Sequence, residues 1–272
     1  MIGLDIGGSS VKVAAWDGRA WTLSKSDSYA WPDGETLRRA VASCLGDQDG
    51  PVGLSVPGVL SDDRARVLRA ANVPGLVGLP LRELVGRPVV VTTDQIAAAV
   101  DIAASRKLRG RLLSIAIGSG VGAAVLDVSD EHPLGVPLRV NGDSPGHLGQ
   151  IDVSLDDDPP VAPDGGAGGV EAYLGGVALV DRDATTLSAD EPAVRALVRL
   201  LRIAHAIYRP NHIVLSGGIG RRLSHLADAI VERTSDRLTN LARDAWTLGF
   251  GDDDHHAARG AARWALQSRG IG

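Results

Sequence analysis

A strand–turn–strand unit that occurs twice constrains this chain more than any other feature. The first copy opens the sequence. Ile2, Leu4 and Ile6 alternate with small or acidic residues, Gly7-Gly8-Ser9-Ser10 forms a turn, and Val11, Val13 and Ala15 alternate again up to Asp17. The second copy runs from Leu112 to Ile117, through the turn Gly118-Ser119-Gly120-Val121-Gly122, and along Ala123 to Asp127. Glycine in such a turn permits positive φ and lets backbone approach a ligand without an intervening Cβ. Successive N–H groups and hydroxyls then make a small anion-binding concavity. Asp5 sits just short of the first turn, placed to hold a hydrated divalent cation beside an anion, and Lys12 is a counter-charge or a solvated lysine. Taken singly, either turn reads equally as an ordinary hairpin. Their recurrence predicts two similar halves that present phosphate-binding turns to a shared cleft.

The segments between the hairpins alternate strand and helix, which indicates an α/β architecture. Helices are expected over Gly34–Leu45, Pro80–Val85, Gln95–Ala104, Glu171–Val180, Ala193–Ile207, Leu223–Leu241 and Ala257–Gln267. Further strands are expected at Trp21–Tyr29, Val52–Val56, Pro88–Val91 and Asn211–Ser216, the last running into the third glycine turn, Gly217-Gly218-Ile219. The expected division is a smaller lobe of residues 1–95 joined by the C-terminal helix at about 257–272, and a larger lobe of 96–256.

At 272 residues, with 44 % apolar and 22 % charged side chains, the chain is long enough and apolar enough for a large core. The net charge of −5, with Lys and Arg scattered, argues against nucleic-acid binding and against a polybasic membrane contact. No apolar run approaches the roughly 20 residues of a spanning helix. Asp5 would interrupt a signal peptide, so a cytoplasmic protein is expected. Cys44 is the only cysteine, which leaves no disulfide framework and no cysteine-based zinc site.

Asp94 lies between a buried strand and a helix. It reads either as an N-cap or as a general base that takes a proton from a hydroxyl attacking a γ-phosphate. Gly146-His147-Leu148-Gly149-Gln150 and Glu171 are polar groups in glycine-rich surroundings, and read alone are loop residues. His255-His256, after three aspartates, reads as a solvated polar loop rather than a metal site. No Walker loop is present, and the first glycine turn enters a strand rather than a helix, which excludes a Rossmann fingerprint.

Together these segments resemble the ROK family of sugar kinases, within the actin-like kinase superfamily, over nearly the whole chain. Leu4–Lys12 looks like the family's first phosphate motif and Ile117–Gly122 its second. Leu54–Leu60 resembles a Val-Pro-Gly strand end, Ala71-Asn72-Val73-Pro74-Gly75 a sugar-contacting loop, Val90–Ala99 the segment with the catalytic aspartate, and Ile213–Ile219 the adenosine motif. The resemblance implies a two-lobed actin-like ATPase (ribonuclease H-like) fold and ATP-dependent phosphotransfer to a sugar-like hydroxyl. It makes Asp94 the base. It assigns Gly7, Gly8, Ser9, Ser10, Lys12, Gly118, Ser119, Gly120 and Gly122 to the phosphates, and Asp5 to Mg²⁺ through water. Gly217, Gly218 and Ile219 fall on the adenosine side, and Asn72, Thr93, His147, Gln150 and Glu171 in the acceptor pocket. The sequence departs from the family pattern at Thr93 (usually Asn), His147 (Glu) and Gln150 (His). Asp164–Gly169 stands where the family has a cysteine zinc motif, so structural zinc is not expected. A homodimer is the expected assembly. The alternative is a catalytically degenerate nucleotide- or sugar-binding protein with a sensing or partner-mediated role.

Overall fold

The protein was analysed as a computed structural model that describes residues 1–46, 52–140, 142–240 and 245–267. In chain order its elements begin with β1 (Ile2–Ile6), β2 (Val11–Trp16), β3 (Trp21–Lys25), α1 (Gly34–Leu45), β4 (Val52–Val56), β5 (Val59–Leu60) and β6 (Val67–Arg69). Then come α2 (Leu81–Val85), β7 (Val89–Thr93), α3 (Asp94–Ser105), β8 (Gly110–Ile117), β9 (Val121–Val128) and β10 (Val136–Pro137). They end with α4 (Val170–Leu174), α5 (Pro192–Tyr208), β11 (His212–Ser216), α6 (Gly217–Arg222), α7 (Ala227–Ser235), β12 (Thr247–Phe250) and α8 (His256–Gln267).

The chain forms two compact units. The first comprises Met1–Lys107, Pro133–Asp143 and His255–Gly272, so α3 stays with it beyond the expected boundary at residue 95. The second comprises Leu108–His132 and Ser144–Asp254.

In the first unit the sheet order is β3-β2-β1-β4-β7. The hairpin β1–β2 is antiparallel, and β1, β4 and β7 are mutually parallel. Ile2, Leu4 and Ile6 point into a core shared with Leu37 and Val41 of α1. The opposite face of β1 is covered too. Gly3 and Gly53 are ladder partners, and a Cβ on either would come within 1.8 Å of a carbonyl oxygen of α8. The alternation in β1 therefore records two packed faces, not one packed and one wet. Helix α1 starts where expected because the Asp33 side chain accepts a hydrogen bond from the Thr36 N–H at 2.8 Å.

The second unit repeats the pattern, with strands in the order β9-β8-β11-β12. The hairpin β8–β9 is again antiparallel, and β11 is parallel to β8 and to β12. Two expected helices are shorter than their apolar patterns suggested. The one at Glu171 ends at Leu174, before Gly175-Gly176. The stretch from Leu223 splits into a 3₁₀ turn (Leu223–Leu226) and α7, and its expected end at residue 241 lies outside the described residues. Strand β12 gave no period-2 signal in the sequence and, among the described residues, pairs with β11 alone at the sheet's edge.

Candidate active site

In the first unit, register assembles a polar row across the sheet. Lys12 is the ladder partner of Asp5, Asp5 of Ser55, and Ser55 of Thr92, so all four lie on one face. This is the face that, two residues earlier, packs Gly3 and Gly53 on α8. Asp5 is 6 % exposed and accepts a hydrogen bond from Ser55 Oγ at 2.8 Å. Burial pushes its carboxyl pKa up, against the opposing influence of Lys12, Ser55 and His255. Asp94 is the first residue of α3, and Thr93 before it occupies the N-cap position without a side-chain cap bond, so Asp94 is not the N-cap. Its Oδ1 accepts from the Gln95 N–H at 2.9 Å, and its Oδ2 from Gln95 Nε2 at 3.2 Å. Asp94 keeps some solvent contact, yet burial and then the Asp5 charge push its pKa up to about 7.

The first glycine turn is held from outside. Gly7 N–H donates to Ser10 O at 3.0 Å, the Tyr29 hydroxyl donates to Gly7 O at 2.8 Å, and the Tyr29 N–H donates to Ser9 O at 2.9 Å. None of the hydrogen bonds made by the described residues uses the N–H of Gly8 or Ser9. Neither Gly7 nor Gly8 has positive φ, so conformational freedom is not why glycine stands there. Close approach is. A Cβ on Gly8 would meet Asn72 O at 3.3 Å, and this contact brings Asn72 beside the turn. Thr93 is buried at the end of β7.

In the second unit the turn is one residue shorter, with Gly118 N–H donating to Gly120 O at 2.9 Å. Gly122 lies inside β9, paired with Ala116. Glu171 is committed to this turn. Its Oε2 accepts from the Val121 N–H at 2.7 Å, and a Cβ on Gly120 would sit 2.6 Å from the same oxygen. His147 and Gln150 are exposed at either end of the short 3₁₀ turn Leu148–Gln150, which packs on β9 where Gly149 abuts Val121 O. The third glycine segment is not a hairpin turn. Strand β11 runs straight into α6, and Gly217 stands at the join because its φ of +77 favours glycine and a Cβ there would meet Ile117 O at 2.5 Å. Gly218 lines a pocket with Arg222, His225, Ser224 and Phe250, whereas Ile219 is buried.

Sequence reasoning missed Ser55, Tyr29 and the pocket around Phe250. Ser55 was detectable only through β-register, and Tyr29 only through its reach back to the turn. The expectation of a solvated loop is overturned for His256, whereas His255 precedes α8 and keeps solvent contact. His256 is 3 % exposed, heads α8 and bonds to Asp101, because α8 begins one residue earlier than its apolar stripe indicates and turns that ring inward.

Residues 1–192 match the ROK family. No curated protein matches the chain in sequence. Among solved structures, the ROK hexokinase from Thermus thermophilus is 23 % identical with a TM-score of 0.72, the match covering 100 % of this chain and 99 % of that one. A ROK family glucokinase from Streptomyces griseus, in complex with glucose and AMPPNP, is 23 % identical with a TM-score of 0.74, covering 98 % and 99 %. A ROK family transcriptional regulator, a homolog of the E. coli MLC protein, is 18 % identical with a TM-score of 0.75, covering 98 % of this chain and 78 % of that one. At these identities the likeness establishes the α/β actin-like ATPase fold with its duplicated strand–turn–strand motif. With about seven-tenths of the sequence inside the family match and the duplicated hairpin in both units, the chain belongs to the ROK family.

Proposed function

We propose that this protein transfers the γ-phosphoryl group of ATP to a hydroxyl of a small sugar or sugar derivative, with Asp94 as general base. The observation that carries the reading is the Asp94 carboxyl at the start of α3, its pKa pushed up to about 7. A carboxylate near that value is ionised often enough at neutral pH to act, and basic enough to matter. In this reading Asp94 takes the proton of the attacking hydroxyl, the hydroxyl oxygen bonds to the γ-phosphorus, and the bond to the bridging oxygen of ADP breaks.

The free N–H groups of Gly8 and Ser9 fit an anion, as does the Lys12 charge opposite Asp5, and they would bind and orient phosphate. Ser9, Ser10, Gly7 and the second turn, Gly118, Ser119, Gly120 and Gly122, are assigned to the same task. Asp5, with one oxygen still open after Ser55 takes the other, fits a hydrated Mg²⁺, which when bound supplies charge neutralisation at the phosphates. Gly217, Gly218 and Ile219 are assigned to the adenosine. Asn72, Thr93, His147, Gln150 and Glu171 are assigned to the acceptor, with Glu171 acting chiefly through the turn it holds. With a single cysteine, structural zinc has no part in the scheme. No described helix is long and apolar enough to cross a membrane, and a cytoplasmic homodimer is the proposed working form.

The test is ADP release with ATP and Mg²⁺ across hexoses, amino-sugars and N-acetyl sugars, beside Asp94→Asn. Turnover on one class, reduced about a hundredfold or more in the variant, is the expected outcome. ATP binding without turnover on any acceptor would instead favour the second reading, a nucleotide- or sugar-binding sensor, to which the likeness to a family regulator lends support.

A further inference from the structure

A planar trans peptide points its C=O and the N–H of the next residue in opposite directions, so fixing one carbonyl of a turn aims the N–H beyond it. The first glycine turn has such a fixture. Tyr29, between β3 and α1, donates its hydroxyl to Gly7 O at 2.8 Å, and no described peptide bond is cis. The Gly8 N–H belongs to the same peptide. It therefore points away from the Tyr29 hydroxyl, on a residue that is exposed to solvent. The main chain of Tyr29 adds a second hold, its N–H donating to Ser9 O at 2.9 Å, which aims the Ser10 N–H in the same manner.

The Gly7-Gly8 peptide is the one that most needs holding. Rotating it by half a turn about the line between its two Cα atoms changes ψ of Gly7 and φ of Gly8 and little else. The φ of Gly8 would then turn positive, which a residue with a Cβ resists and glycine accepts. Among the described residues no other hydrogen bond takes Gly7 O or the Gly8 N–H. The Tyr29 hydroxyl alone selects one orientation over the other.

That hydroxyl is itself well fixed. The Tyr29 ring packs against the apolar core of the first unit. The segment before it is tied to the start of β2, with Ser26 N–H donating to Val11 O at 2.8 Å and Val11 N–H to Ser26 Oγ at 3.0 Å. Burial, and then the Asp5 charge, push the phenol pKa upward, so the group keeps its proton and remains a donor. We propose that Tyr29 is a positioning residue whose hydroxyl holds the Gly7-Gly8 peptide in the orientation that aims the Gly8 N–H at a phosphate of the nucleotide. The proposal rests on the kinase reading for the ligand, but not for the orientation of the peptide.

The test is Tyr29→Phe, which keeps the ring in the core and removes only the hydroxyl. A nuclear Overhauser effect between the Gly8 amide proton and the ring protons of residue 29 reports the orientation with no ligand present. It is expected to be absent in the wild type, where the N–H points away, and to appear in the variant as the flipped peptide becomes populated. The variant's Kd for MgADP should rise about fivefold, the population shift that losing one ordinary hydrogen bond allows. No such effect in the variant overturns the proposal whatever the affinity does. Its appearance with wild-type affinity for MgADP overturns the positioning role. Should Tyr29→Phe not fold, the wild type decides alone: the effect seen there would mean that the hydroxyl selects nothing, and its absence supports the selection. Failure of the wild type to bind MgADP would defeat the assignment of this turn to the phosphates instead, while the spectra still decide what Tyr29 orients.

Discussion

At the residue scale, Asp94 carries opposite consequences for catalysis and for stability. Its folded-state pKa of about 7 lies above the ordinary 3.8, so the folded protein holds that proton more tightly than the unfolded chain. The stabilisation is fully present below pH 3.8 and is lost as pH rises through about 7. Asparagine cannot lose a proton. Asp94→Asn should thus be more stable than wild type at pH 8 by about 1–2 kcal/mol, a figure reduced for the residue's remaining solvent contact. The gap should close towards pH 4. Urea titrations of both proteins over that range check this, and a gap independent of pH would refute it. Catalysis should follow the reverse trend, with kcat/KM rising through an apparent pKa near 7. Glu171 invites a second comparison. Glu171→Ala leaves the Val121 N–H without its acceptor and should cost about 1–3 kcal/mol, whereas Glu171→Gln keeps an acceptor oxygen and should cost less. Thermal melts of the pair would separate a residue that holds the turn from one that touches only a ligand.

At the scale of elements, the seam between α3 and α8 sets propensity against packing. Alanine in place of a helical glycine gains up to about 1 kcal/mol where the site is open. At Gly260 the added Cβ would overlap Ala97 O at 1.7 Å, and neither backbone can move aside without parting the helices. Packing wins by magnitude. Gly260→Ala should lower stability by about 2 kcal/mol or more, as overpacking of a close backbone contact does. A denaturant midpoint equal to or above wild type would show that the seam is looser than described. The same logic explains the first turn, where Gly8 gives way to Asn72 rather than to an unusual φ.

At the scale of the molecule, the first unit is built from three separated segments, and its last one supplies α8. That helix covers Gly3 and Gly53 and satisfies Asp101, so the first unit is incomplete until the end of the chain is in place. A chain ending at Asp254 would bare the α8 side of the sheet, uncovering Gly3 and Gly53 and taking away the partners of Asp101. Such a truncation should abolish ATP binding while the second unit keeps its own cooperative transition. Calorimetry would show one transition where the full chain has more. Retained nucleotide affinity in the truncated chain would argue against the assignment of Gly7–Ser10 to the phosphates.

Local pattern alone determined much of this protein. Period-2 alternation placed both hairpins, helical stripes placed α1, α3 and α5 within a residue or two, and two similar glycine turns announced the duplication. These signals are legible because they depend on neighbours in the chain. What only tertiary structure decided depends on register and on distant partners. The ladder brought Ser55 beside Asp5 across fifty residues of chain, and Thr92 beside Ser55 across about forty more. Tyr29 reached back to Gly7, and Glu171 closed on Val121. His256 and Asp101, 155 residues apart, became a buried pair instead of a solvated histidine and an unremarked aspartate. No window of sequence contains both partners of such contacts, and burial, which sets the charge and the strength of each, exists only once the chain has folded.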